Sequence, residues 1–416
     1  MMDPMLFIVL AGLTVVVGYT GTVIFDKTKI PDIIWLIIFG VMMGPILSYF
    51  DASVFKDVSP LLAAVALMVI LFDAGLNLDF FKFLKNTPRG LLFSVVNMAV
   101  SMVVVGGLAS LLFGFDNMAI GLLLGAILGG TSSAVVITLV SKLNFNDSTK
   151  MTVILESVLT DTLTIIASIA LINFITATSG NGSHLQNIMA SFSVGGMLGL
   201  VMGIIWLFVL NKIKGRPFDH ILTLGMVFLL YVFTEMSGGS GAISAFMFGL
   251  VLGNGKKFSE MLKFSKSFTV DRVMKTFQGE ISFFIRSFFF VYLGITFVYN
   301  PTYFFYGIII TAAILFVRFA AVRVITHPMS SVTKAEANLM GIMGPRGLAA
   351  AVLATKMGEF EALQQYVPLF TNVIVVVIMA SVIYSTIAVF LVDRQKGKED
   401  KSQVAPSKVP NATGKT

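Results

Sequence analysis

Apolar positions along this chain fall into blocks of roughly 18 to 25 residues, separated by short polar segments, and the blocks continue to about position 393. Blocks of that length cross a hydrocarbon core of about 30 Å as helices, whereas outer-membrane barrels show alternating segments of about 10 residues. The pattern predicts thirteen spans, at 5–24, 32–50, 59–78, 90–113, 117–140, 151–175, 188–210, 219–237, 239–254, 280–299, 302–325, 335–356 and 367–392. The first block follows MMDPM, which lacks the basic start and small-residue cleavage site of a secretory signal, so it is expected to remain as a span. Two spans carry helix-weakening stretches, the fifth at Gly129–Val136 (GGTSSAVV) and the twelfth at Gly344–Val352 (GPRGLAAAV). Lying seven spans apart, they run in opposite directions, as an inverted repeat of about six helices requires. Close packing through small residues would account for either stretch alone. The matched pair favours broken helices, which persist at mid-membrane only inside protein or beside a wet cavity. The expected fold is therefore an all-α polytopic membrane protein of two inverted repeats, with broken helices crossing at mid-membrane.

Composition agrees and removes other classes. The 416 residues are 56% hydrophobic and 12% charged, against about 25% charged in soluble domains. The absence of cysteine excludes disulfides, thiolate metal sites and thiol catalysis. A net charge of +7 is spread over many short loops, which reads as topology and not as a nucleic-acid surface. With the N-terminus outside, Lys27, Lys82, Lys85, Arg89, Lys150 and Lys212 fall in cytoplasmic loops, while Lys56 and Lys356 fall outside. The connection at about 255–279, lysines among apolar residues, reads as a surface-lying segment or a solvated basic loop. Residues 1–393 then form one transmembrane domain, and 394–416 a disordered cytoplasmic tail.

Ionisable groups inside a bilayer are costly and mark function by default. They are Asp73 in the third span, Glu156 and Asp161 in the sixth, Glu235 in the eighth, and Arg286, Arg318 and Arg346 in the tenth to twelfth. His184, His220 and His327 all lie outside spans, which argues against a histidine proton relay. Counted from Lys150, Asp161 lies about 16 Å deep, and Arg346 comes out equally deep. Residues four apart share a helix face, which aligns Ser157 with Asp161 and, separately, Glu156 with Thr160. The expectation is that Ser157 and Asp161 face an ion, while Glu156 pairs with Arg346 and ties the sixth span to the twelfth. Glu235 and Arg318 read as packing or snorkelling residues. The Asp161 carboxylate, the Ser157, Thr131 and Ser132 hydroxyls and the carbonyls freed by the break form a hard oxygen set, suited to a small hard cation. A carboxylate that holds either a proton or a cation, and cannot cross charged and empty, couples the two fluxes. With no lysine in any span, one-for-one electroneutral exchange is the simplest expectation. A cation channel would present a ring-like filter in place of one titratable trap. A sodium-coupled organic-solute symporter would share the broken helices but need an organic substrate. No nucleophile triad, metal cluster or phosphate loop points to an enzyme, and no cofactor is implied.

Five segments, in order, resemble the cation:proton antiporters of the NhaP and NHE type: KIPDIIWLIIFGVMMGP (Lys29–Pro45), VILFDAGLNL (Val69–Leu78), ESVLTDTLTI (Glu156–Ile165), FFFVYLGITF (Phe288–Phe297) and GPRGLAAAVLA (Gly344–Ala354). The resemblance implies the NhaA/NhaP-like antiporter fold and exchange of sodium, lithium or potassium for protons in a prokaryotic cell membrane. It further implies sodium held at Asp161, Ser157 and Thr131, with Ser132 and Thr160 in the same cation- and proton-binding set, the Glu156–Arg346 pair, Asp73 in a cytoplasmic funnel, and an accessory Arg286. A homodimer is implied too, with a moving core (90–175 and 302–392) against a scaffold (5–78 and 188–299). Three positions depart from the family pattern: Thr160 stands where Asn is usual, Thr131-Ser132-Ser133 where Thr-Asp-Pro is common, and Asp73 where Glu is usual. TSSAVV is closer to the branch that includes potassium exporters, so potassium–proton exchange is the alternative.

Overall fold

The structure, a computed structural model, describes residues 4–28, 30–50, 55, 58–81, 88–141, 143, 145, 147–176, 184–213, 218–263, 270, 272–327 and 333–403. Among these the chain is helical throughout, without a strand. The helices are α1 (Pro4–Thr28), α2 (Asp32–Val41), α3 (Ser59–Asn77), α4 (Pro88–Phe113), α5 (Met118–Ile127), α6 (Ser133–Ser141), α7 (Asp147–Thr176), α8 (His184–Ile213) and α9 (Asp219–Met236). There follow α10 (Gly241–Gly253), α11 (Gly255–Met261), α12 (Arg272–Thr296), α13 (Pro301–Thr326), α14 (Lys334–Ile342), α15 (Leu348–Lys356), α16 (Glu361–Gln364) and α17 (Val367–Gln403). Nine described helices are long and apolar enough to cross a membrane. The second and ninth expected spans are the shorter helices Asp32–Ile46 and Gly241–Gly253, and the fifth and twelfth are the interrupted pairs α5/α6 and α14/α15. All thirteen predicted segments therefore have a helical counterpart.

Three boundaries differ from expectation. The end of α2 is a π-turn, Met42–Ile46, around Pro45, whose ring nitrogen has no proton to continue the ladder. The tenth span begins at Arg272 instead of 280, inside the stretch read as a basic connection, and α11 occupies the start of that stretch. The last helix continues to Gln403, past the expected start of a disordered tail at 394, through a sequence rich in the helix formers Arg, Lys, Glu and Gln. Residues 404–416 lie outside the described residues, as do Lys56, Lys82 and Lys85.

Packing divides the helices by neighbourhood. One set comprises α1–α3, α8–α10 and α12, and the other α4–α7, α13–α15 and α17; α15 touches the first set through α3 and α12. Outward-facing apolar side chains such as Val16, Leu229 and Val232 stay exposed, as a lipid-facing surface permits. At the α3–α10 crossing, a Cβ on Gly75 would collide with the Phe246 carbonyl, and one on Gly249 with the Phe72 carbonyl. Small residues here let two backbones touch. Gly75→Ala is expected to destabilise the protein by about 1–3 kcal/mol, read as a lower thermal unfolding midpoint in detergent. A midpoint equal to the native one would mean that the two helices can part without cost.

Candidate functional site

Both interruptions arise from local sequence. Residues Gly129-Gly130 offer no side chains to sustain α5, and Gly344-Pro345 stops α14, because the residue before proline is driven out of the helical region. The freed backbone groups are then met across the crossing. The Ser132 amide donates to the Pro345 carbonyl at 2.8 Å, joining one break directly to the other. The Thr131 amide donates to Thr160 Oγ1 at 3.2 Å, and the Arg346 amide to Ser381 Oγ at 3.0 Å. The Ser385 hydroxyl donates to the Ile342 carbonyl. A Cβ on Gly347 would collide with Ser132 Oγ, so only glycine allows the breaks this contact.

Two buried arginines brace the crossing. Arg318 of α13 forms a bidentate pair with Glu156 of α7, Nη1 to Oε1 and Nη2 to Oε2 at 2.9 Å each, and its Nε donates to the Met340 carbonyl at 3.1 Å. Arg346 donates through Nη1 to the Gly130 carbonyl at 2.6 Å and to Thr131 Oγ1 at 3.1 Å. Thr131 Oγ1 also accepts from Arg318 Nη1 at 3.1 Å. The expected Glu156–Arg346 pair is thus replaced by Glu156–Arg318. A guanidinium sits far enough from its Cα that equal depth along two helices does not select the partner. Arg318 accordingly does not snorkel; it is 1% exposed. Glu235 accepts from the Gly241 amide at 2.8 Å, placing its charge at the N-terminus of α10, where the helix dipole favours an anion.

Asp161 stands apart from these arginine bonds. Its Oδ2 accepts from the Ser133 hydroxyl at 2.9 Å and from the Ser133 amide at 3.3 Å, at the first turn of α6. It opens onto a cavity of about 150 Å³ whose polar wall includes Asp73, Ser132, Ser133, Asp161, Ser282 and Arg286. Leu348 and Ala349 of α15 complete it, so the N-terminal ends of both half-helices reach the same chamber. Of the residues expected around the ion, Asp161, Ser132 and Asp73 share this cavity and Ser157, Thr131 and Thr160 do not line it. Ser157 is wholly buried and donates to the Ile154 carbonyl at 2.8 Å; Thr131 faces the arginines; Thr160 caps the broken backbone. Asp73 accepts from Asn77 Nδ2 at 2.9 Å. Arg286 reaches the cavity from α12 and pairs with Asp32 Oδ2 at 3.2 Å. Sequence reasoning missed Ser133 and Asp32. Ser133 lies inside the TSSAVV segment, and its signal is its position as the first residue of a half-helix.

A family profile described as sodium/hydrogen exchanger, transmembrane, matches residues 12–393. The chain belongs to the sodium/hydrogen exchanger family. Within that family it is 26% identical over 349 residues to a probable Na(+)/H(+) antiporter 2 of Methanocaldococcus jannaschii, covering 79% of each chain. It is also 26% identical over 254 residues to the K(+)/H(+) antiporter NhaP2 of Shewanella sp. strain ANA-3, covering 60% of this exchanger-family chain and 44% of that protein. The solved structure of the sodium proton antiporter MjNhaP1 from Methanocaldococcus jannaschii at pH 8 superposes with a TM-score of 0.78 at 22% identity, over 92% of this chain and all of that one. The expected antiporter fold is therefore the observed one, and the chain is a multi-pass membrane transporter.

Proposed function

We propose that this chain exchanges sodium for protons across a prokaryotic cell membrane, one for one, by competition of the two ions for the Asp161 carboxylate. The observation that carries the reading is a single cavity in which Asp161 meets the N-terminal ends of two crossed half-helices. The cation would be held by the Asp161 carboxylate with the Ser132 and Ser133 hydroxyls and carbonyls of the break, a hard oxygen set. By formal charge Arg318 and Arg346 would match Glu156 and an ionised Asp161, and among the described residues the direct ion pair of the four is Arg318–Glu156. Taking up one proton or one cation changes that balance equally, which supports electroneutral exchange. Asp73 would lie toward the cytoplasmic mouth, with the N-terminus outside and the C-terminus inside. The set α4–α7 with α13–α17 would move as a core against the remaining helices, in a homodimer assembled through the latter.

Potassium–proton exchange is the second reading, supported by the potassium-named relative and by the neutral Ser132 and Ser133, which line the cavity with Asp161 at the start of α6. Reconstituted protein in vesicles with an imposed pH gradient separates them. Sodium is expected to collapse the gradient at lower concentration than potassium, lithium should behave like sodium, and choline should have no effect. Collapse only with an added organic solute, or equal collapse with choline, would overturn antiport of a monovalent cation.

A further inference from the structure

The cavity that receives the cation carries a fixed positive charge in its wall. Arg286 projects from α12 beside Ser282, one turn earlier on the same face, and both line the chamber that holds Asp73 and Asp161. A cation entering this chamber would meet a guanidinium. Its Nη2 is engaged by Asp32 Oδ2 at 3.2 Å, and its Cζ lies 5.8 Å from the centre of the Phe283 ring. The Nε is buried and has no hydrogen-bond partner among the described residues.

Asp32 itself does not line the cavity. It occupies the first turn of α2, where the helix dipole favours an anion, and Gly21 of α1 packs against it closely enough that a Cβ there would sit 3.2 Å from the Asp32 Cα. The Asp32 backbone is thus packed against α1, and its carboxylate holds Arg286 from outside the cavity lining. We propose that Asp32 is a positioning residue that anchors and neutralises Arg286 at the cavity wall, and so sets the affinity for the transported cation. Without Asp32, the carboxylates available to Arg286 are those of the cavity, Asp73 and Asp161, which the cation needs. The inference rests on the antiport reading.

The test is sodium-driven dissipation of a pH gradient in vesicles, with KM and maximal rate determined for native protein, D32N, R286Q and D32N/R286Q. D32N is expected to raise the sodium KM roughly tenfold, with the maximal rate within about twofold of native, because one uncompensated charge then acts on the site. In the R286Q background the same D32N change should leave KM where R286Q alone sets it. A merely structural Asp32 would alter KM equally in both backgrounds, or lower the rate without moving KM, and either result overturns the assignment. If D32N does not assemble, comparing D32N/R286Q with R286Q carries the test, since that pair strands no arginine: equal KM supports the proposal and a further rise refutes it. No exchange by native protein would overturn antiport and this inference together. Native exchange with unchanged KM in D32N overturns the role of Asp32 alone.

Discussion

Asp161→Asn is expected to abolish cation-driven proton movement while leaving the protein folded. Asparagine keeps the shape of the side chain and can still accept from the Ser133 hydroxyl and amide that hold Asp161 Oδ2. It can neither bind a proton nor present a negative charge. At an effective dielectric of about 20, a unit charge about 4 Å from a cation contributes about 4 kcal/mol. Its loss corresponds to roughly a thousandfold in affinity. The measurement is pH-gradient collapse by sodium and potassium in vesicles, beside a thermal unfolding curve to show that the variant is native-like. Exchange by this variant at the native rate would remove Asp161 from the mechanism.

The spans were legible because a bilayer demands long apolar runs, and that demand is written directly in the sequence. The two breaks were legible for a related reason: glycine and proline in the middle of an apolar run have little purpose in an unbroken helix. Side-chain direction was harder. Helix periodicity sets Ser157 beside Asp161 because four residues make about one turn, but they overshoot it by about 40°, enough to turn the hydroxyl into the packed interior of the bundle. Ser133 falls inside the predicted break, but the sequence does not show that it begins the second half-helix, where its amide is free to meet a carboxylate because the chain is interrupted before it. Asp32 lay at the mouth of a predicted span, where an acidic residue looks solvated, and only the packing of α12 on α2 brings Arg286 to it. Each miss concerns which way a residue points, a quantity fixed by neighbouring helices far away in sequence.

The same limit produced the mispaired arginine, and correcting it yields the largest expected effect on stability. Arg318 binds Glu156 with both terminal nitrogens, Thr131 Oγ1 with one of them and the Met340 carbonyl with Nε, so α13 is tied to α7, to the first break and to α14 by one side chain. Its side chain is 1% exposed and that of Glu156 2%. Removing one partner leaves the other as a charge buried without compensation, at a typical cost of about 3–5 kcal/mol. Arg318→Met and Glu156→Gln are each expected to lower the thermal unfolding midpoint in detergent markedly, and Arg318→Lys should not restore it, because an ammonium cannot make the planar bidentate contact. The double variant should lose much less than the two single losses added together, since it strands no charge. Arg346→Met tests the contrast: its bonds go to the Gly130 carbonyl and Thr131 Oγ1, so its coupling to Glu156→Gln should be clearly smaller than that of Arg318→Met. Coupling of Glu156 to Arg346 instead of Arg318 in these cycles would show that the strut runs between α7 and the second break.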